Sequence, residues 1–539
     1  MKKIIALIMT LLLTFTTFGV IGCSCGGDSD AFTVYYYPGG YGAEWLDEFV
    51  KEFVAKKKYD GDVSKVTSDD YILTPRSDIG SNSRIILNGK NCPDIMMANG
   101  IENQDISDDL VANISDVYEM EVATSNGNIK IKDYIMPESM MTFSRQFLPG
   151  QGDVVQWAIP WTAIPLSLAY NETLLNKINH TTSGNVGSCV EAGKWVKAPT
   201  TFEELMTCFA DIKAQGTVDG NAVKAFGFST VDGALWFESL IYIWWAQYQG
   251  LNTPKISGEY QDAFYDFFNL DNYKKYNQQG IVKALEHIQQ LITVNGGTDD
   301  GAFDNVYGDP TSYTIKDVQP AFARGETVFC LTGDFFAKEY KEILDDNKDK
   351  VNAKLMPVPA YDSTHNENYT FLNTTSCMYV PAKSKHLDMA KEFLAFINDE
   401  AHLVRFTELT GGIRPFGTNS SESKAAIKQK YLAAKDWGDF EKSTFDVYFD
   451  CDDVVLAFPR NYKTRGRDGQ ISFVYTYESE RMLTPDYPTL INSLRKNSVS
   501  YLVNDETNEN SLIKNAYNRY LLHKDSYGDT MITSIQVQG

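Results

Sequence analysis

The sequence predicts an α/β protein of the doubly wound kind with more than one substantial core. Phe32-Thr33-Val34-Tyr35-Tyr36-Tyr37 is a β-rich run that stops at Pro38-Gly39-Gly40. Immediately after it, Trp45, Leu46, Phe49, Val50, Phe53 and Val54 recur at the spacing of one helix face. A strand, a glycine loop and an amphipathic helix in that order usually open a doubly wound domain. Length agrees, since 539 residues with 43% hydrophobic and 22% charged side chains leave room for two or more cores.

Ahead of the first strand, Lys2 and Lys3 precede an apolar run from Ile4 to Leu13 that Thr and Phe extend to Val20. These are the charged and hydrophobic regions of a secretory signal, too short and too Thr-rich for a membrane span. Val20-Ile21-Gly22-Cys23 resembles the lipobox of bacterial lipoproteins, which implies a signal peptide over 1–22 and acylation of Cys23. Residues 23–31, rich in Gly, Ser and Asp, read as a lipidated tether. The formal charge of −22 becomes −24 when Lys2 and Lys3 leave with the signal. So acidic a chain lacks the basic footprint of a nucleic-acid binder, and no nucleic-acid partner is expected.

Further along, Pro93-Asp94-Ile95-Met96-Met97, Phe226-Gly227-Phe228 and Val328-Phe329-Cys330-Leu331 read as buried strands. Thr201, with Glu204 three residues on, forms a capping-box signature for a helix starting at Phe202. The apolar stretch 235–248 reads as a helix whose Trp244 and Trp245 belong to the core. A helix through Met389, Phe393, Phe396 and Ile397 leads to a stop at Gly411-Gly412. Near the end, Asp468-Gly469 followed by Ile471-Ser472-Phe473-Val474-Tyr475 suggests an added hairpin. The eight cysteines have no zinc-like spacing; buried free thiols, with one or two bridges possible, are the expectation.

The order of these pieces resembles the carbohydrate-binding family of extracellular solute-binding lipoproteins of ABC importers that includes the maltose-binding protein. The resemblance rests on Pro93-Asp94-Ile95, on Ile159-Pro160-Trp161 leading to Leu168-Ala169-Tyr170-Asn171-Glu172, and on Ala198-Pro199-Thr200-Thr201-Phe202. It continues through Ala321-Phe322-Ala323-Arg324-Gly325-Glu326, Met356-Pro357-Val358-Pro359 and Tyr379-Val380-Pro381. It implies a periplasmic-binding-protein-like fold of two discontinuous lobes joined by a hinge, with the ligand cleft between them. Lobe one would hold 32–162 and 375–430; lobe two would hold 163–374 and 431–539, the last part as a C-terminal extension.

A neutral sugar offers apolar C–H faces and a rim of hydroxyls, so its site wants aromatic platforms beside Asp, Asn or Arg. In open α/β sheets that site lies beyond the carboxyl ends of the strands. Tyr37 and Tyr41, flanking the first glycine loop, suit that place. Family position adds Asn99, Trp161 at the hinge, Asp334, Phe335 and Arg414 on a loop entering the cleft. Trp236 beside Asp232 is the favoured platform of its helix, and Trp437 is a further candidate. For each residue the alternative is a purely structural place in the core.

No metal and no cofactor are expected. Successive side chains of Tyr35-Tyr36-Tyr37 point to opposite faces of a strand and cannot converge on iron. The acidic stretches 299–309 and 450–453 lack the pattern of a calcium loop, and the six histidines form no HExxH pair. There is no nucleophile elbow or phosphate loop. The resemblance implies a lipid-anchored, monomeric receptor on the outer face of the bacterial cytoplasmic membrane. It would capture a carbohydrate by hinge closure and pass it to ABC permease subunits, without being an enzyme. The alternatives are the same scaffold with a non-sugar solute, or an exported glycoside hydrolase using two carboxylates.

Overall fold

The computed structural model describes residues 30–37, 39–101, 105–106, 108–145, 155–184, 186–232, 234–251, 264, 278–293, 305–456, 461–465, 471–475, 486–505, 507–515 and 518. The signal, Cys23, Pro38 and most of the acidic stretch 299–309 lie outside the described residues.

Among the described residues, eleven strands build two large sheets. They are β1 (Phe32–Tyr36), β2 (Tyr71–Pro75), β3 (Ile95–Asn99), β4 (Ile159–Pro160), β5 (Ile164–Asn171) and β6 (Lys224–Gly227). There follow β7 (Thr327–Gly333), β8 (Ala353–Met356), β9 (Tyr369–Asn373), β10 (Ser376–Tyr379) and β11 (Asp453–Leu456). The first sheet has the order β2-β1-β3-β10-β4, with β1 parallel to both its neighbours and β10 antiparallel to β3 and β4. The second runs β6-β7-β5-β9-β11, with β8 also paired to β5. The chain therefore leaves the first sheet after Pro160, enters the second at Ile164, and returns between Asn373 and Ser376.

The local reasons are those of the sequence. In β1, Phe32 and Val34 are buried, and the helix Glu44–Lys58 covers them with the expected face of Trp45, Leu46, Phe49, Val50, Phe53 and Val54. Glu44 and Asp47 in its first turn and Lys56, Lys57 and Lys58 in its last oppose the helix dipole favourably. β5 is paired along both edges, and it is buried along nearly its whole length because helices, Ala234–Gln249 and Asp439–Phe449 among them, pack on it. The Thr201–Glu204 capping box forms, and the helix Phe202–Gln215 begins there. Trp244 and Trp245 are fully buried, donating to the Pro359 carbonyl at 2.8 Å and to Gln278 Oε1 at 2.7 Å.

Described C-terminal segments pack on the second sheet and on its helices. β11 extends the second sheet beside β9, in parallel. The helices Ser421–Ala434 and Asp439–Phe449 join Met136, Ala163 and Leu372 in one apolar cluster beside the chain crossings. Helix Tyr487–Leu494 lies against helix Ala234–Gln249, where the Tyr487 hydroxyl donates to the buried Glu238 carboxylate. Gln289 donates to the carbonyls of Leu494 and Asn497, the latter at 3.0 Å. The added hairpin is present: Asn461–Arg465 pairs antiparallel with Ile471–Tyr475. Cys92, Cys189, Cys208, Cys330, Cys377 and Cys451 are free thiols.

Buried Asp94, just before β3, clamps three segments of the first lobe. It accepts from Thr33 N at 2.8 Å, from Ser384 Oγ at 2.8 Å and, at 3.1 Å, faces His386 Nδ1. His386 Nε2 reaches Asp30 at 3.2 Å. Burial pulls the imidazole pKa down, but the two carboxylates outweigh it and the net shift is upward. A raised folded-state pKa gives stability that is complete below the ordinary value of about 6.5 and is lost as pH rises through the folded value. NMR titration of His386 is expected to give a midpoint above about 6.5, and His386→Gln to remove that pH dependence of the melting temperature. A midpoint at or below the ordinary value would contradict the clamp.

Candidate functional site

Parallel strands carry their loops to one edge of a sheet, and here those edges face each other. From the first sheet, β1 delivers the loop 37–42 and β3 ends at Asn99. From the second, β7 delivers Asp334 and Phe335, and β6 leads through 228–232 to the helix bearing Trp236. The loop approaches closely because it is glycine: a Cβ at Gly40 would sit 3.0 Å from Phe335 Cβ and 2.9 Å from a Glu339 carboxylate oxygen. At the rim Lys338 Nζ lies 3.8 Å from Glu44 Oε2.

The floor is a buried polar knot inside an aromatic cage. Tyr41, 4% exposed, donates its hydroxyl to the carboxylate of Asp334, 1% exposed. The other carboxylate oxygen accepts from Ile413 N at 3.0 Å, and Thr162 Oγ1 lies 3.4 Å from the Tyr41 hydroxyl. Burial dominates over these hydrogen bonds and lifts the Asp334 pKa to about 7. Burial and the carboxylate together push the Tyr41 phenol well above its usual value. Around the knot, Trp161 stacks on Trp45 with centroids 5.4 Å apart, and Tyr41 meets Trp161 edge-on at 5.5 Å. Phe335 and Phe406 complete the cage at 6.4 and 5.9 Å from Tyr41.

Trp236 is half-buried and meets Phe335 at 6.2 Å. The indole N–H groups of Trp161 and Trp236 have no acceptor among the described residues. Tyr37, 42% exposed, and exposed Asn99 stand at the ends of β1 and β3; Asn99 Oδ1 accepts from Ser376 Oγ at 2.9 Å. Asp232 is exposed and takes a backbone bond from Ile315 N at 2.8 Å. Tyr41, Trp161, Asp334, Phe335 and Trp236 are thus brought together, with Tyr37, Asn99 and Asp232 on the bordering loops.

Two expectations need correction. Arg414 does not project from a loop into the cleft; it is completely buried beneath the floor. Its Nε donates to the Trp161 carbonyl at 2.9 Å, one terminal nitrogen to the Ile397 carbonyl, and the other to Asn398 Oδ1 at 2.5 Å. Burial lowers the guanidinium pKa to about 9, which leaves it charged at neutral pH. Trp437 is likewise no platform. It packs on Phe445 at 5.2 Å inside the C-terminal cluster and donates to the Tyr431 carbonyl at 2.6 Å. Both lie on segments that turn inward to cover the chain crossings, which a local sequence window does not reveal. Conversely, Trp45, Thr162 and Phe406 line the floor without having been expected there. Trp45 looks like an ordinary core residue of its helix, and nothing in the sequence around Thr162 singles it out. A surface cavity of about 630 Å³ on the second lobe, lined by Tyr307, Tyr313, Lys316 and Arg324, contains none of the predicted residues.

Two α/β lobes linked by chain crossings and meeting at the carboxyl edges of their strands define a two-lobed solute receptor. Solved structures share this arrangement. The GacH receptor of Streptomyces glaucescens, solved unliganded and with acarbose and a homolog of it, superposes with a TM-score of 0.53 at 16% identity, covering 92% of this chain and 97% of that one. Apo RafE from Streptococcus pneumoniae gives 0.52 at 14%, covering 87% and 98%. A sugar transporter protein of Bacillus licheniformis in complex with stachyose gives 0.51 at 12%, covering 91% and 100%. At such identities the likeness is one of fold. No curated protein sequence matches the chain. Residues 37–402, more than half of the chain, match the family described as bacterial extracellular solute-binding protein. The chain belongs to that family.

Proposed function

We propose that this solute-binding protein captures a neutral carbohydrate between its lobes and hands it to an ABC permease. The observation that carries this reading is the composition of the facing edges. They combine the half-buried indole of Trp236 and the exposed phenol of Tyr37 with the exposed side chains of Asn99 and Asp232. Flat aromatic faces with hydrogen-bonding groups beside them suit a sugar ring. Neutrality follows from Arg414, the one cation of the predicted set, whose guanidinium donors are spent on the protein's own carbonyl oxygens. A buried anion needs convergent cations. Acarbose and stachyose, seen in similar structures, are consistent with this class of ligand.

In this reading lobe one comprises 32–162 and 375–430, and lobe two 163–374 and 431–539, closing about the crossings at 160–164 and 373–376. The protein is a monomer that does no chemistry on its ligand and is held at the outer face of the membrane through Cys23. A melting-shift screen over neutral and acidic mono- and oligosaccharides tests the ligand class, since a ligand at 100 times its Kd adds about 2.7 kcal/mol to the folded state. Trp236→Ala is expected to weaken binding about tenfold, through loss of the stacking platform. Recovery of intact sugar supports a receptor, whereas turnover, or stabilisation by acidic ligands alone, would overturn it. Cys23→Ala is expected to release the protein from the membrane fraction.

A further inference from the structure

His287 lies in the second lobe, away from the facing edges. Its helix, Gln279–Ile292, packs against the helix Ala234–Gln249, on which Trp244 follows Trp236 by about 12 Å along the axis. The imidazole is sandwiched. Phe202 stacks on one face, with centroids 3.5 Å apart and 6° between the planes, and Tyr361 on the other at 4.2 Å and 18°. Trp244 meets the ring edge-on at 5.1 Å. The side chain is 7% exposed, and its Nδ1 is buried with no hydrogen-bond partner among the described residues. The stack ties three separate segments together: Phe202 opens the helix Phe202–Gln215, and Tyr361 lies on the link between β8 and β9. Beside it, Phe202 N donates to the Ala360 carbonyl at 2.8 Å and Tyr361 N to Gln247 Oε1 at 2.9 Å.

We propose that His287 is an acid-sensitive keystone of the second lobe: neutral, it fills the gap between Phe202 and Tyr361, and a proton taken up from acidified surroundings opens that stack. A neutral imidazole packs there as one more aromatic ring. Its protonated form places a full charge, and an N–H without an acceptor, between two rings that exclude water. The family is one of extracellular proteins, so the ring answers to the pH of the surroundings. The keystone rests neither on the identity of the ligand nor on how far the lobes are closed.

The charged groups around the ring leave burial in command. Burial holds the imidazole pKa down to about 3; Asp362 pulls it up and Lys283, one helical turn earlier, pushes it down, each by less. Asp362 is committed to Thr364 and to His365, whose Nδ1 lies 3.0 Å away, and Lys283 is paired with Glu286 at 2.8 Å. Helix Phe202–Gln215 brings Glu203 and Glu204 in its first turn, the latter spent in the capping box. Helix Ala234–Gln249 has one charged residue, Glu238, more than a turn before Trp244, and helix Val499–Val503, also packed on the His287 helix, has none. The unfolded ring takes up its proton near about 6.5, whereas the stacked ring resists until far lower pH. The stability the stack contributes is therefore complete above about 6.5 and is lost as pH falls from there towards the folded value. The His386 clamp has the opposite sign, so the share of His287 is read as a difference between variants.

The test compares full-length wild type with His287→Phe, which keeps a ring between Phe202 and Tyr361 and removes the proton acceptor. In urea unfolding, the unfolding constant of wild type relative to His287→Phe is expected to grow about twentyfold between pH 7 and pH 5, the ratio set by an unfolded-state pKa of about 6.5. Hydrogen exchange locates the opening: segments 199–206, 283–291 and 357–367 are expected to lose protection in acid in wild type and to keep it in His287→Phe. NMR of the histidine rings in wild type, which needs no variant to fold, is expected to show that His287 does not titrate in the folded protein between pH 7.5 and pH 5. A His287 midpoint near its ordinary value, equal acid losses in the two proteins, or protection lost evenly over both lobes would overturn the keystone. No ligand enters these measurements, so their failure leaves carbohydrate capture standing, and failure of the sugar screen leaves the keystone standing.

Discussion

Replacing Arg414 with alanine is expected to destabilise the protein by about 3–5 kcal/mol, the range for a large buried side chain whose removal leaves both a cavity and unpaired acceptors. Three acceptors, the carbonyls of Trp161 and Ile397 and the side-chain oxygen of Asn398, lose their donor at once. The guanidinium also lies 5.7 Å from the Phe406 ring centroid and 5.4 Å from that of Phe416, so part of the loss is packing. Lysine cannot restore the effect, because one ammonium group does not reproduce the planar fork that serves three separated oxygens. Urea unfolding of Arg414→Ala and Arg414→Lys checks this. A loss below about 1 kcal/mol for both would mean that water or rearrangement fills the site, contrary to the complete burial seen.

Deleting residues 486–539 is expected to have the largest effect of all: failure of the second lobe to fold. Tyr487, Leu490, Ile491, Leu494, Val499, Leu502, Val503 and Leu512 are buried. Each contributes about 1.5–3 kcal/mol on burial, so their sum rivals the whole stability of an ordinary domain, about 5–15 kcal/mol. The deletion would uncover the apolar faces of the helices Ala234–Gln249 and Gln279–Ile292, which favours aggregation. Tyr487→Phe is the milder probe. It removes a hydroxyl donor to buried Glu238 and is expected to cost about 1–3 kcal/mol. A soluble, cooperatively melting 1–485 fragment would show instead that the extension is an independent appendage.

What could be read before the fold was known followed from local rules. The face Trp45-Leu46-Phe49-Val50-Phe53-Val54, the capping box at Thr201 and the apolar run Val328–Leu331 of β7 rest on helical spacing, on a cap and on a short apolar stretch, all contained in short windows. Tyr41, Asp334 and Phe335 come just after the strands β1 and β7, so their place beyond a strand end follows from the sequence as well. Loops that follow parallel strands must emerge at the carboxyl edge of the sheet.

Arg414 and Trp437 failed because a polar or aromatic residue near a glycine stop reads alike whether its loop turns towards solvent or inward. That choice is made by segments far away in sequence, including Trp161 and Ile397 for Arg414 and Phe445 and Tyr431 for Trp437.

The sequence by itself determined the elements, the α/β alternation and the family markers, because those are properties of neighbours along the chain. The tertiary structure alone decided that Asp453–Leu456 extends the second sheet and that Tyr487 packs on the helix Ala234–Gln249. It also decided that the Tyr41 phenol meets the Asp334 carboxylate across 293 positions of sequence. Nothing local distinguishes a tyrosine that waits for a sugar from one that already has a partner. Only the packing of one lobe's edge against the other brings the two groups within reach, excludes water from them and gives their contact its strength.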